Sequence, residues 1–350
     1  SSFCRVLDRS NSLWTGFHPV LALCAGKVFC MKKDHNKASL RHPDFAQNCD
    51  FLFGLFPLAF MAVYLYGLRP ALMLAVSLLT AVICDFLAAR MRGQKYDSSE
   101  NSSLVFAAAF TLMLPATAGY YIVVAGVAVA VLIGKHAFGG AGSYSFQPAA
   151  LAYAAVTVSW PDQIFLYPAP FSQISLFGGA ASSVSESTAH ILQAGGVPDI
   201  PSLDLILGNY AGPMGTTFCL VIAAVAIYLL LKRRISFSLA SSFLMTCAVI
   251  SVCFPRVSTA SRLDLLKYEM LSGAIIYAAV FLLCDPVTAP KNRLARIAYG
   301  ILTGFLTMMF RYYGSYELGV CFALLLANAF SGYLDRLCSR ITFERRSRPV

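Results

Sequence analysis

From Phe51 onward the chain alternates between apolar runs of membrane-spanning length and short polar or basic interruptions. The runs predict ten helices, at about 51–66, 70–90, 102–117, 119–135, 145–160, 215–231, 236–254, 270–284, 294–310 and 317–334. A helix of ~20 apolar residues crosses the ~30 Å hydrocarbon layer, and runs of this kind have no other comfortable place. Two stretches break the pattern. Before Phe51 the apolar patch Phe17–Phe29 is too short to span and holds His18-Pro19 and Lys27, which predicts an interfacial helix on the cytoplasmic surface. Between Trp160 and Ala211 lies a polar loop that contains Asp162, Glu186, Asp199 and Asp204 but no Lys or Arg. At its centre stands the hydroxyl run Ser182-Ser183-Val184-Ser185-Glu186-Ser187-Thr188-Ala189. Two readings of that run are open: a solvated Ser/Thr-rich turn, or a covalent attachment point at Thr188.

The pattern repeats. Gly142-Ser143-Tyr144 precedes the fifth run and Gly314-Ser315-Tyr316 the tenth, while the third and eighth runs are rich in small residues and end at Leu114-Pro115 and Asp285-Pro286. Five helices per half is an odd number, so the two halves run in opposite directions through the membrane. The predicted fold is therefore an all-α polytopic membrane protein, about ten transmembrane helices as two inverted five-helix repeats. Its parts are a cytoplasmic segment (1–50), the first repeat (51–160), an exported loop (161–214), the second repeat (215–336) and a basic tail (337–350). Inverted repeats with short, proline-ended helices place a binding site near the midplane, where freed backbone groups face a cavity.

Composition agrees. At 58% hydrophobic and 13% charged, the 350 residues are too apolar for an ordinary soluble domain. The net charge of +10 does not point to nucleic acid, because of where the charge lies. With the N-terminus inside, 22 of the 27 Lys and Arg fall in inner segments, leaving Arg69, Arg256, Arg262, Lys267 and Arg311 outside. That bias puts both termini in the cytoplasm and the 160–211 loop on the far side. No signal peptide is visible at the start. The 11 cysteines form no C-x-x-C pair and mostly sit inside apolar runs, so they read as packed small side chains, with no metal site expected.

Polar residues inside such a chain are costly unless paired or used. Asp85 lies within a turn or two of Arg90, open to a snorkelling ion pair or to a functional role. Lys135-His136 leads into Gly139, Gly140 and Gly142, which either make a tight inner turn or let backbone approach a flat or anionic ligand. Asp285-Pro286-Val287-Thr288-Ala289-Pro290 ends the eighth run as a broken helix. Gly139, Gly140 and Gly142 with Asp285 and Thr288 are expected to share a polar pocket for flavin or quinone. No catalytic side chain is singled out.

Several of these residues carry a resemblance. Leu271-Ser272-Gly273-Ala274, Asp285-Pro286-Val287-Thr288-Ala289, the stretch RYYGSYELGV (311–320) and Leu325-Leu326-Ala327-Asn328 resemble the D subunit of Rnf electron-transport complexes. So do Asn101-Ser102-Ser103 and Phe138-Gly139-Gly140-Ala141-Gly142 followed by Phe146-Gln147-Pro148-Ala149, with Gln147 where Asn is usual. The likeness runs from about 50 to 340 and extends, more distantly, to the B subunit of the sodium-pumping NADH:quinone reductase. It implies a bacterial cytoplasmic-membrane protein working with other membrane subunits and coupling electron transfer to Na⁺ or H⁺ movement. In that family a threonine of the exported loop, in a D-x-x-S/T-G-A-T-like motif, carries FMN through a phosphoester made by a flavin transferase. Thr188 is the matching position; Ser182, Glu186 and Ser187 stand where the family has Asp, Gly and Ala. Ser183, Ser185 and Ser187 are alternative hydroxyls, and Ser185 is grouped with Thr188 as cofactor-binding. A non-covalent riboflavin in the membrane interior is implied as well. A helix starting at Thr188 offers backbone N–H groups to a phosphodiester, and the flavin supplies the one-electron chemistry.

Two other readings fit the pattern. An inverted repeat alone also suits a secondary transporter or channel for a small solute, and the altered motif suits a structural subunit without flavin. A flavin absorbance band that survives denaturation separates the first reading from both.

Overall fold

The structure, a computed structural model, describes residues 45–93, 100–172, 174–176, 184–185, 187–198, 200–256, 261–314 and 316–347. The interfacial helix expected at 17–29, and Ser182, Ser183, Glu186 and Ser315, lie outside these residues. In chain order the helices are α1 (Phe45–Tyr66), α2 (Arg69–Met91), α3 (Ser102–Leu112), α4 (Tyr120–His136), α5 (Pro148–Ser159), the single turn α6 (Pro161–Ile164), α7 (Thr188–Gln193), α8 (Ser202–Leu207), α9 (Cys219–Leu231), α10 (Phe237–Cys253), α11 (Arg262–Leu271), α12 (Ile275–Leu282), α13 (Arg293–Tyr313) and α14 (Gly319–Ser347). One small antiparallel pair joins β1 (Tyr167–Pro168) to β2 (Val184–Ser185), with Tyr167 opposite Ser185. The described residues are mostly helical, and most of their buried apolar side chains form one large core, with a small separate cluster of Leu192 and Leu265.

Among the described residues, α1, α2 and the Gly319–Arg340 part of α14 are each long and apolar enough to cross a membrane. A fourth span results if α11 and α12, bent by 56° at their break, count as one. Helices α3, α4, α5, α9 and α10 are apolar but shorter. Prolines set several boundaries: Pro70, Pro148 and Pro161 open α2, α5 and α6 at positions whose N–H has no helical partner anyway.

The elements depart from the hydropathy reading in four places. The third run ends as a helix at Leu112, because the residue before Pro115 is driven out of helical geometry. Before the eighth run an additional helix, α11, occupies what reads as a charged outer loop. It buries Leu265 and Glu269, one turn apart, and exposes its other charges. Between α11 and α12 the chain turns at Gly273 and Ala274, both with positive φ (72° and 60°). At the end, α14 continues through the basic residues to Ser347 where a tail is expected.

Two packing features hold the short helices. Residues 210–218 are irregular yet wholly buried. The amides of Met214 and Gly215 donate to the carbonyls of Leu114 (3.1 Å) and Leu112 (2.8 Å), satisfying the broken end of α3. Irregular backbone is tolerated at such depth only where protein surrounds it. Across from it, the Tyr277 hydroxyl in α12 donates to Ala109 O in α3 at 3.0 Å. Elsewhere α13 brings Gly300 and Gly304 against α10, where a Cβ on Gly304 would stand 2.9 Å from Thr246 Cβ and 3.0 Å from Phe243 O. Small residues four apart let helix backbones approach in this way.

Candidate functional site

Residues of interest gather at the two ends of the helices. At the end where α2 finishes, the last turns of α4 are π-helical over Val129–His136. This wider winding directs both Lys135 and His136 at Asp85. Lys135, 1% exposed, places Nζ 3.2 Å from Asp85 Oδ1, 2.6 Å from Glu100 Oε1 and 2.7 Å from Ser103 Oγ. His136 Nε2 is 2.7 Å from the same Asp85 oxygen, to which Ser103 donates at 2.8 Å. Of the two readings open for Asp85, the ion pair with Arg90 is not formed: Asp85 belongs to this cluster, and Arg90 stands exposed at the surface. The difference follows from direction: Arg90 points outward from the end of α2, while α4 packs along the Asp85 face.

Gly139, Gly140 and Gly142 all take positive φ (117°, 101° and 75°), a region open to glycine at little cost. Their loop wraps Arg92, whose guanidinium donates to Gly139 O at 3.2 Å and to His136 O. A Cβ on Gly140 would stand 3.0 Å from Arg92 Nη1. The glycines therefore make a turn around an arginine, and Tyr144, just beyond them, reaches the second half. Its hydroxyl donates to Asp285 Oδ1 at 2.9 Å, and Thr288 Oγ1 donates to Asp285 Oδ2 at 3.3 Å. Asp285 and Thr288 are buried, and another π-helical segment, Ala278–Leu282, directly precedes them. The structure thus joins the Gly139–Gly142 loop to Asp285 and Thr288 through Tyr144.

At the opposite end, the loop after α5 is stitched to both halves of the protein. Arg69, fully buried, donates to the carbonyls of Ser175 (2.5 Å) and Ala118 (3.1 Å) and lies over the Tyr120 ring. Tyr120 donates to Leu176 O at 2.6 Å, and Tyr268 in α11 to Ile200 O at 3.2 Å. Helix α7 then rests on the turn between α13 and α14. Gln193 donates to Gly314 O, and Ser187 Oγ donates to Glu317 Oε1 while accepting from the His190 amide at 3.0 Å.

Thr188 is the first residue of α7 and 2% exposed; its Oγ1 is buried without a hydrogen-bond partner. Ser185 sits on β2, exposed. Of the described hydroxyls in this run, Thr188 is the one that is enclosed and uncommitted, which fits a covalent link at that oxygen. The start of α7 is a poorer phosphate cradle than the sequence implies, since Ser187 already takes the His190 amide and α7 is only six residues long.

A family model described as NQR2, RnfD, RnfE matches residues 45–344. The chain belongs to this family. Similar NQR2/RnfD/RnfE proteins include the D subunit of the proton-translocating ferredoxin:NAD(+) oxidoreductase complex of Clostridium ljungdahlii, 24% identical over 300 residues (83% of this chain, 89% of that protein). The D subunit of the ion-translocating oxidoreductase complex of Haemophilus influenzae is 27% identical over 321 residues (79% and 87%), and that of Methanosarcina acetivorans 28% over 282 (80% and 85%). Membership places the protein in a membrane and its relatives in multi-subunit complexes.

For this NQR2/RnfD/RnfE chain, sequence reading overlooked four features: the Lys135–His136–Asp85 cluster, the bridging Tyr144, the buried Glu269–Arg311 pair and Glu317. All four depend on partners far away in the chain. The buried 210–218 stretch did carry a local signal, Gly208, Gly212 and Gly215 around Pro213, in a place where a simple helix start was expected.

Proposed function

We propose that the protein is the D-type membrane subunit of an ion-translocating oxidoreductase complex. On this reading it passes electrons by way of FMN esterified to Thr188 and couples them to movement of Na⁺ or H⁺. The match over residues 45–344, with relatives that are D subunits of such complexes, supports the coarse reading. The observation that carries the flavin is the Thr188 hydroxyl, enclosed and without a partner at the head of α7.

In this reading the chain forms ten spans in two inverted repeats, with both termini in the cytoplasm. A flavin transferase modifies the exported loop, and other membrane subunits deliver and remove electrons. When bound, FMN supplies one-electron chemistry. The chain's own residues position that site: Gln193 and Ser187 fasten α7 to the α13–α14 turn, and Arg69 fixes the start of the loop. At the other end, Tyr144, Asp285 and Thr288 form a hydrogen-bonded junction between the halves, suited to holding a polar group or ion at the end of α12.

The test is mass spectrometry on protein made in cells that contain a flavin transferase. Intact protein is expected to carry the mass of FMN less one water. Peptide fragments should put it on Thr188, and Thr188→Ala should lose both mass and yellow colour. Addition at Ser185 would keep the chemistry and change the residue. An unmodified loop under these conditions would remove the flavin and leave a structural role in the complex.

A further inference from the structure

The end of the molecule that carries α7 holds two buried carboxyls in different surroundings. Glu269, 0% exposed, lies with Oε2 2.5 Å from Arg311 Nε, so its charge is matched. Glu317, 9% exposed in the turn before α14, has no ion-pair partner among the described residues. Its oxygens meet hydroxyls instead. Ser187 Oγ donates to Oε1, and Tyr167 brings its hydroxyl to the same carboxyl at a geometry short of a full hydrogen bond. Behind Tyr167, Tyr153 and Thr157 lie one turn apart on α5, both buried and facing each other without completing a bond. Other titratable groups lie near: His190 on α7 and Arg311 on α13 act on Glu317 from beyond contact, Tyr66 on α1 neighbours Tyr167, and Cys321 on α14 neighbours Tyr153.

An ionised carboxylate shut away from water without a cation in contact is costly, and binding a proton removes the cost. Ser187 favours a proton over a metal cation as the neutralising species. Its Oγ already donates to the carboxyl and accepts from the His190 amide, so a cation at Oε1 would have to break that arrangement. We propose that Glu317 is a proton-exchange residue at the α7 end of the subunit. Its carboxyl takes up one proton from the aqueous side and releases it there, with the Ser187 hydroxyl hydrogen-bonded to it and the Tyr167 hydroxyl beside it. One O–H bond forms or breaks at each exchange, and nothing is oxidised or reduced in it. Burial raises the titration of Glu317, with the Ser187 hydrogen bond, the nearby Tyr167 hydroxyl and the charges of His190 and Arg311 pulling the other way. The assignment rests on the ion-translocation reading and names the residue that serves it here.

Infrared spectroscopy of the full chain in lipid nanodiscs tests it. A protonated-carboxyl C=O band should disappear as pH rises, with a midpoint above the ordinary glutamate value of about 4.3. Glu317→Gln should remove that band, and Glu317→Asp, which keeps a carboxyl, should move its midpoint. A band unchanged in both variants overturns the proposal. So does a band that added Na⁺ abolishes at constant pH, because the site would then take a metal cation. In the assembled complex in vesicles, Glu317→Gln should lose severalfold in protons moved per electron transferred; an unchanged ratio overturns the proposal. A wild-type complex that moves no ions would refute the functional reading alone, since the infrared titration decides Glu317 independently.

Discussion

Arg311 spends its whole guanidinium inside the protein. Nε faces Glu269, Nη1 donates to Ser272 O at 3.1 Å and Nη2 to Ser272 Oγ at 2.6 Å. One side chain from α13 thus binds α11 and the break that follows it. Removing one member of such a buried pair strands the other charge, which costs about 3–5 kcal/mol, whereas replacing both by apolar residues costs far less. Arg311→Ala is therefore expected to lower the thermal stability of the purified protein severely. Arg311→Met combined with Glu269→Leu should recover most of the loss. Equal melting temperatures for Arg311→Ala and wild type would show that the pair contributes little. Residues of this kind were the least legible in the sequence. Asp285 announces itself because two prolines crowd it, and Thr188 because a hydroxyl run in a cation-free loop is locally odd. Arg311 and Glu269 carry no local mark, since their meaning depends on a partner that only the fold brings near.

At the scale of helices, what could be read was where they begin and end. Pro115 and Pro286 mark the ends of two short helices whatever surrounds them, because proline forbids the continuation. The break before α12 could not be read the same way: Ala274 adopts a left-handed conformation that its side chain disfavours, held by the packing around it. The approach of α13 to α10 lies between these cases. Gly300 and Gly304 are spaced for close helix packing, but the sequence does not say which helix they face. The structure places them against Ser242, Thr246 and the backbone of Leu239 and Phe243. A Cβ at Gly304 would meet Phe243 O and Thr246 Cβ, neither of which is a flexible side-chain tip. Gly304→Val should push the helices apart and cost about 1–3 kcal/mol, the usual range for overpacking. Unfolding in detergent would register this as a lower midpoint. A variant of unchanged stability would mean that α10 and α13 have room to spare at this contact.

The whole molecule sorts its polar contacts by end. Arg234 Nε meets Asp50 at 2.6 Å, Tyr144 meets Asp285, Lys135 meets Asp85 and Glu100, and Asp335 accepts from the amides of Lys291 and Asn292. All of these belong to segments that the distribution of Lys and Arg assigns to the cytoplasm. Arg69 with Ser175, Ser187 with Glu317, Gln193 with Gly314 and Arg311 with Glu269 all belong to segments assigned outside. None of these hydrogen bonds and ion pairs joins one set to the other. The two sets come from the apolar runs and the basic residues between them, whereas the contacts come from which residues touch, and the two agree. It argues that the short helices α3, α5 and α12, too brief to pass as spans alone, still separate the same two faces as the long ones. Reporter fusions after Arg234 are accordingly expected to be cytoplasmic, and fusions at Gly195 exported. Cysteine labelling should agree, with a cysteine introduced at exposed Ser185 reached by a membrane-impermeant reagent from outside intact cells and one at exposed Arg233 only after lysis. Both fusions reporting the same side would require an even number of crossings between Gly195 and Arg234, and α9 would then be re-entrant. Both reporting the reverse side would invert the orientation and move Thr188 to the cytoplasm, where an exported flavin site has no place.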